Sequence, residues 1–154
     1  MNDEKKILII YHSQSSKTKL LATCVLKGVN LEKNVSTRFK LAFDSTLDDL
    51  LWADAVIFGT PENFGYMSGA LKDFFDRTYE DAQPYQLTTP YAVFVSAGND
   101  GTNAVREIDR IVKGYPLKKA FEPLIIKGEI NNKDKKRCEE LGQMVSISIC
   151  QGIV

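Results

Sequence analysis

The sequence has no net charge, no long apolar run and no leader-like start. Its 20 Lys and Arg residues are balanced by 20 Asp and Glu residues, so charge gives no support for binding to nucleic acid or another polyanion. No apolar run approaches the roughly 20 residues that a membrane-spanning helix needs. The chain passes from its charged start directly into an apolar strand, without the apolar core of a signal peptide. These absences predict a cytoplasmic protein with no membrane or nucleic-acid partner.

The chain is also poor in histidine and cysteine. Its three cysteines, Cys24, Cys138 and Cys150, are odd in number and lack the spacing of a metal site. They fit a reducing compartment and thiols that pack within helices. The only histidine is His12, and no cysteine has a histidine beside it in sequence to activate it. We therefore expect no catalytic cysteine and no metal site.

The 154 residues show no internal repeat or linker, and apolar strands alternate with amphipathic helices. The predicted strands are 6–11, 34–40, 54–59, 91–96 and 121–126, and the predicted helices are 16–28, 46–52, 68–79, 102–113 and 133–150. This alternation predicts an α/β fold in which helices cover both faces of a parallel sheet. The polar second strand is typical of a sheet edge. We expect one domain, residues 1–154, with strand order 2-1-3-4-5 and a crevice beyond the first, third and fourth strands.

The segment from Gly59 to Gly69 reads G-T-P-E-N-F-G-Y-M-S-G and lies between a buried strand and a helix. It resembles the G-T-P-x-x-F-G-x-M-S-G loop of the flavodoxin-like NAD(P)H:quinone oxidoreductases of the tryptophan-repressor-binding-protein type, and of related FMN reductases. The resemblance implies that the second loop, residues 61–68, contacts the isoalloxazine ring of FMN. The residues implied are Pro61, Glu62, Asn63, Phe64 and Gly65. The other interpretation is a plain strand-to-helix turn with Phe64 in the core.

The first loop, residues 12–18, offers hydroxyls and an ammonium at a helix N-terminus, where phosphate groups bind. It resembles the flavodoxin phosphate loop, with Ser16 standing where that loop has glycine. The predicted phosphate contacts are Ser13, Ser15, Ser16, Lys17 and Thr18. A serine N-cap followed by a polar turn is the other interpretation. A nucleotide P-loop is disfavoured because both of its glycines are missing.

The third loop, residues 96–103, contains the turn-forming sequence Gly-Asn-Asp-Gly, which exposes backbone N–H groups. In the family that the second loop resembles, a glycine-rich loop at this place touches the pyrimidine edge of the flavin. The resemblance implies contacts from Ser96, Gly98, Asn99 and Gly101. Alternatively, Asn99 and Asp100 only cap the following helix.

The same resemblance implies a flavodoxin-like fold and a non-covalently bound FMN. Because the flavin would carry the chemistry, we expect no catalytic side chain, that is, no protein acid, base or nucleophile. It implies NAD(P)H as the hydride donor, a quinone or similar small acceptor, and assembly into a homo-oligomer. Single-electron carriers of this fold are usually strongly acidic, which steers them to basic partners. Because this chain is neutral, an NAD(P)H-dependent reductase is the favoured interpretation. A flavodoxin-type carrier is the second interpretation, and an interaction protein without flavin is the third.

Overall fold

Six strands and five helices alternate along residues 3–154, the part of the chain that the computed structural model describes. The strands are β1 (Lys5–Tyr11), β2 (Val35–Leu41), β3 (Ala55–Pro61), β4 (Pro90–Ala97), β5 (Lys118–Lys119) and β6 (Leu124–Lys127). The helices are α1 (Lys17–Val29), α2 (Leu47–Trp52), α3 (Gly69–Ala82), α4 (Thr102–Val112) and α5 (Asn132–Cys150). Met1 and Asn2, which begin the segment predicted to lack a leader, lie outside the described residues. Among these helices, none is long and apolar enough to cross a membrane.

All strand pairs are parallel, and the sheet order is β2-β1-β3-β4-β5, with β6 also paired to β4. One core lies between the sheet and the helices α3 and α4, with Phe74 and Ile108 fully buried in it. The second core lies under α1 and α5 and includes Leu21 and Val145. The predicted doubly wound sheet of order 2-1-3-4-5 is therefore confirmed.

The fifth strand was predicted at residues 121–126, and this prediction is wrong in its bounds. The strand forms as two pieces, β5 and β6, and both pair with β4. Pro123 has no N–H to donate to a ladder, which favours a break in this segment. Phe121 is buried in the core under α1 and α5 without being part of a strand. Its apolar character reflects packing, and the sequence pattern alone assigned it to a strand.

Helices α1 and α5 approach each other closely through two glycines. A Cβ atom at Gly28 would lie 1.8 Å from the carbonyl oxygen of Glu139, and one at Gly142 would lie 2.1 Å from that of Val25. The Ser146 hydroxyl also donates a 2.8 Å hydrogen bond to the carbonyl of Val29. These contacts fix α1 against α5, and the start of α1 is one border of the crevice.

The three cysteines are free thiols in these same helices, as the sequence predicted. Cys24 lies in α1, and Cys138 and Cys150 lie in α5. Cys138 is fully buried, and burial raises the pKa of its thiol to about 12. A thiol with so high a pKa stays protonated near neutral pH and is a poor nucleophile.

Candidate functional site

The three predicted loops meet at one edge of the sheet. The first loop follows β1, the second follows β3 and the third begins in β4, and these strands are direct neighbours. The N–H of His12 donates to the carbonyl of Gly59 at 3.2 Å, and the N–H of Glu62 donates to the carbonyl of Ser96 at 2.9 Å. These bonds continue the parallel ladders into the loops. The carboxyl ends of the strands therefore bring the loops together where ligands bind in open α/β sheets.

Ser16 gives the first loop a backbone shape that usually belongs to glycine. It is the N-cap of α1 and has φ 71°, in the left-handed region. The resembled phosphate loop has glycine at this position, so serine keeps the same turn at some cost in strain. The Ser16 side chain does not cap the helix. Instead, the Ser13 hydroxyl accepts a 3.1 Å hydrogen bond from the N–H of Lys19.

The start of α1 offers donors for an anion. Within residues 3–154, the backbone N–H groups of residues 14–18 have no hydrogen-bond partner. They lie at the positive end of the helix dipole, which attracts negative charge. The hydroxyls of Ser15 and Ser16 are exposed, the side chain of Thr18 is buried, and the ammonium of Lys17 lies 3.3 Å from the Glu129 carboxylate. The first loop can therefore bind a phosphate through backbone amides and exposed hydroxyls.

The second loop presents an aromatic ring to solvent on a tight turn. Asn63 and Tyr66 exchange backbone hydrogen bonds of 2.8 and 2.9 Å around the two residues between them. Those residues, Phe64 and Gly65, have φ 53° and 68°, the left-handed values of a type I′ turn. Phe64 is fully exposed, so the interpretation that places it in the core is wrong. A non-glycine residue at positive φ costs conformational energy, and such strained residues cluster at functional sites.

Two amide side chains that the sequence reasoning missed fix this turn to its neighbours. The Asn63 amide donates to the Gln14 side-chain oxygen at 2.9 Å and links the second loop to the first. The Asn103 amide donates to the carbonyl of Gly65 at 2.6 Å and links the turn to α4. Amide residues inside predicted ligand loops were the only sequence signal for Gln14 and Asn103.

The third loop is attached to the second by the carboxylate of Glu62. Its Oε1 accepts from the N–H of Asn99 at 3.0 Å, and its Oε2 accepts from the N–H of Gly101 at 2.7 Å. Ser96 lies in β4, where its backbone pairs with Pro61. Gly98 has open space where a Cβ would be, so the backbone there can be approached closely.

The interpretation in which Asn99 and Asp100 only cap α4 holds for Asp100, which binds the first residue of the helix, and not for Asn99, whose N–H donates to Glu62. Gly101 is the N-cap, at φ 78°, and no side chain of the N-cap serves the helix. The Asp100 carboxylate accepts a hydrogen bond from the hydroxyl of Thr102, the first residue of α4, and lies 3.8 Å from the Lys127 ammonium. The hydrogen bond from Thr102, with the nearby positive charge, holds the pKa of Asp100 below its usual value.

His12 contributes an unsatisfied polar atom beside the first loop. Its Nδ1 is buried and has no hydrogen-bond partner within the described residues. Burial lowers the pKa of His12, so the ring is neutral at pH 7. Its edge faces the exposed ring of Phe43, with ring centroids 6.1 Å apart. A buried polar atom without a partner usually marks a place that water or a ligand completes.

A surface cavity of about 680 Å³ lies elsewhere, between the broken fifth strand and α5. Its lining includes Phe121, Pro123, Arg137 and Met144, and none of its residues belongs to the three loops. The region between the three loops combines backbone donors, an exposed ring and an open glycine. These features fit a planar ligand that carries a phosphate, as FMN does.

Comparison with known proteins places the chain among flavin-dependent reductases and flavodoxins. The model of the family described as NADPH-dependent FMN reductase matches residues 30–114, more than half of the chain. A flavodoxin from Aquifex aeolicus is 36% identical over 76 residues, which are 49% of this chain and 41% of that protein. An NAD(P)H dehydrogenase (quinone) from Geobacter sulfurreducens is 32% identical over 96 residues, with 47% of each protein covered. The chain thus matches less than half the length of these curated relatives.

Solved structures give the same fold. A flavodoxin from the domain Archaea superimposes with a TM-score of 0.82 and 25% identity, covering 94% of this chain and 98% of that one. This agreement over nearly the whole chain confirms the flavodoxin-like architecture that the sequence predicted.

Proposed function

The chain belongs to the NADPH-dependent FMN reductase family, and on this premise we propose that it binds FMN without a covalent bond and reduces a quinone or similar small acceptor with NAD(P)H. We propose one FMN-binding domain over residues 1–154, working in the cytoplasm, where its free thiols stay reduced. The observation that carries the proposal is the exposed Phe64 turn beside the unpaired N–H groups of α1. The relative named NAD(P)H dehydrogenase (quinone) supports this choice of donor and acceptor.

In this proposal the first loop holds the phosphate. The backbone N–H groups of residues 14–18 donate to it, and the helix dipole of α1 favours its negative charge. Ser13 and Thr18 keep the loop in shape, since one accepts a bond from the helix and the other is buried. Lys17 supplies the mobile positive charge, because its ion pair with Glu129 is exposed and weak.

The second and third loops orient the ring. Pro61, Asn63, Phe64 and Gly65 line one side of the slot, and Ser96 and Gly98 begin the other side. The exposed ring of Phe64 can lie against a planar ligand and exclude water from one face, while the short loops leave the other face open to a nicotinamide or an acceptor. When bound, FMN supplies the redox chemistry by taking a hydride from the nicotinamide and passing electrons on. The protein holds donor and acceptor in reach of the ring.

A flavodoxin-type single-electron carrier is the second candidate. The flavodoxin from Aquifex aeolicus and the archaeal flavodoxin structure favour it. The chain's equal numbers of acidic and basic residues favour the reductase, because a carrier gains its association rate from a strong charge complementary to its partner's. An interaction protein without flavin is the third candidate.

We also propose a homo-oligomer for the reductase, to be tested by sedimentation of the FMN-loaded protein.

Anaerobic stopped-flow mixing tests the proposed function. The FMN-loaded protein is mixed with NADH or NADPH while the flavin absorbance near its visible maximum is followed, and a quinone is then added. We expect loss of the absorbance within seconds and its return with the quinone. Free FMN at the same concentration is the control for reduction without protein. No bleaching by either nicotinamide, with prompt reduction by a one-electron donor, would assign the protein to the carriers. If the protein binds no FMN, the third candidate, an interaction protein without flavin, would be favoured.

A further inference from the structure

Glu62 is attached to the third loop by both its backbone and its side chain. Its N–H donates to the carbonyl of Ser96 at 2.9 Å, which extends the ladder between β3 and β4. Its two carboxylate oxygens accept from the N–H groups of Asn99 and Gly101 at 3.0 and 2.7 Å. One residue of the second loop therefore determines where the third loop lies.

Helix α4 begins beside two carboxylates, that of Asp100, which accepts from the Thr102 hydroxyl, and that of Glu62, which accepts from the Gly101 N–H. Its N-cap is Gly101, which has no side chain to offer, and its first turn contains no acidic residue. The Glu62 carboxylate supplies negative charge that the helix N-terminus favours, from a segment 39 positions earlier in the chain. Hydrogen bonds between an ionised carboxylate and backbone N–H groups are among the strong ones in proteins. The contact therefore braces the second loop against the third. The backbone of Glu62 is held by Ser96, and its carboxylate binds two backbone N–H groups of the third loop.

This brace changes the assignment of the donors in the third loop. The sequence resemblance implies that Asn99 and Gly101 bind the flavin, but their N–H groups already bind a carboxylate. A neutral flavin carbonyl that displaced Glu62 would leave a partly buried carboxylate without its donors, which is costly. We infer that Glu62 is a positioning residue that joins the second and third loops into one slot, and that the N–H groups of Asn99 and Gly101 serve its carboxylate and not the ring.

The inference rests on the proposed FMN site and has an electrostatic consequence. The carboxylate lies between the two loops that are proposed to hold the ring, and none of the lysines or arginines in residues 3–154 forms a salt bridge with it. A negative charge near the ring disfavours electron density arriving there, because like charges repel more strongly in a partly buried site. Glu62 should therefore lower the midpoint potential of the bound flavin as well as fix the slot.

The test compares Glu62→Gln and Glu62→Ala with Asp100→Asn, which removes a neighbouring charge that does not brace the loops. In the protein without flavin, amide hydrogen exchange at Asn99 and Gly101 is measured by NMR. We expect exchange at both amides to become at least tenfold faster in Glu62→Ala, with a smaller change in Glu62→Gln, whose remaining carbonyl can accept one of the two bonds. Asp100→Asn should leave Gly101 protected. Unchanged protection in Glu62→Ala would overturn the brace without involving flavin at all.

The loaded protein gives the second readout. We expect Glu62→Ala to weaken FMN and riboflavin equally, by about tenfold, and Glu62→Gln to shift the midpoint potential to a more positive value. Asp100→Asn should shift the potential less. Tighter flavin binding in either Glu62 variant would mean that the carboxylate competes with the ring. An unchanged midpoint potential in Glu62→Gln would mean that the charge of Glu62 does not act on the flavin. Either result would overturn the inference. Failure of the wild-type protein to bind FMN would instead refute the proposed function, with the exchange measurement still deciding the brace.

Discussion

The ammonium of Lys17 lies 3.3 Å from the carboxylate of Glu129, which ties the start of α1 to the segment that precedes α5. The Glu129 side chain is 95% exposed and that of Lys17 is 40% exposed, so solvent screens the pair and it contributes under about 1 kcal/mol to stability. Lys17 is therefore free to turn toward an anion in the first loop, while Glu129 competes with that anion for the same charge. The pair makes the proposed phosphate site directly testable.

We predict that Lys17→Ala weakens FMN binding roughly 10- to 100-fold, because it removes a charge-assisted contact of about 1.5–3 kcal/mol. Riboflavin, which lacks the phosphate, should lose little. Glu129→Gln should have the opposite effect and tighten FMN severalfold, since Lys17 loses its competing partner. Fluorescence titration of FMN and riboflavin against the three proteins measures this. Equal losses for both flavins in Lys17→Ala would show that Lys17 does not contact phosphate.

A second prediction concerns Phe64. Its ring is fully exposed, so Phe64→Ala should change the free energy of unfolding by no more than about 0.5 kcal/mol. The same change should weaken flavin binding or shift the flavin potential, because the ring that covers one face of the ligand is lost. Urea unfolding and flavin titration are measured on the same preparation. A folded variant with unchanged affinity, spectrum and potential would contradict a ring-covering role for Phe64.

Ser16 provides a test of backbone strain in the first loop. A non-glycine residue in the left-handed region costs roughly 1–2 kcal/mol, and glycine returns about 0.5–1 kcal/mol of that through its greater freedom in the unfolded chain. Ser16→Gly should therefore raise the free energy of unfolding by up to about 1 kcal/mol and retain FMN binding. Ser16→Val should lower it, because a branched side chain fits φ 71° poorly. Urea unfolding measures both variants.

The matched control for this prediction is Ser15→Gly. Ser15 is exposed in the same loop, and it is absent from the positive-φ residues of the described chain. Glycine there should bring no gain in stability. If Ser15→Gly and Ser16→Gly stabilise the protein equally, the left-handed backbone of Ser16 is not a source of strain.

The environment of Asp49 leads us to predict how the free energy of unfolding changes in acid. It is buried, and it accepts bonds of 2.9 Å each from Arg38, Lys40 and the N–H of Thr46. Burial alone would raise the pKa of this carboxyl, but the hydrogen bonds from Lys40, the Thr46 N–H and Arg38 outweigh it and hold the pKa below the usual value. A carboxyl with a lowered folded-state pKa stabilises the protein above its unfolded pKa, near 3.9, and loses that contribution as pH falls below it.

The free energy of unfolding should therefore drop as pH falls below about 4. Asp49→Asn should lower it by about 1–3 kcal/mol at pH 7 and flatten the acid dependence, because the neutral amide has no charge to lose. The two proteins should become similar in stability near the folded-state pKa. Urea unfolding across the acid range measures both. A constant difference between them at every pH would show that the charge of Asp49 does not contribute.

The broken fifth strand and the Phe64 turn show how far local patterns reach. Continuous apolar runs separated by amphipathic helices predicted a parallel sheet, because the intervening helices then cover both faces of the buried strands. The same rule failed at Phe121, because a buried side chain in an irregular segment has the same apolar character as one in a strand. The pattern around Phe64 predicted a ligand loop and left open whether the ring was in the core. The exposure of a side chain depends on which residues surround it in space, and only the folded chain defines those residues.

The sequence by itself determined the α/β architecture, the sheet order and the three loops at one edge of the sheet. The strands and helices follow from the periodicity of each segment. The meeting of the three loops follows from the geometry of parallel strands, whose carboxyl ends lie at one edge of the sheet. The tertiary structure alone decided the links across the crevice: Gln14 with Asn63, Asn103 with Gly65, and Glu62 with Gly101. Each joins residues more than 35 positions apart. Such hydrogen bonds leave no periodic trace in the sequence, because they depend on which strands become neighbours and on where each loop then places its side chains.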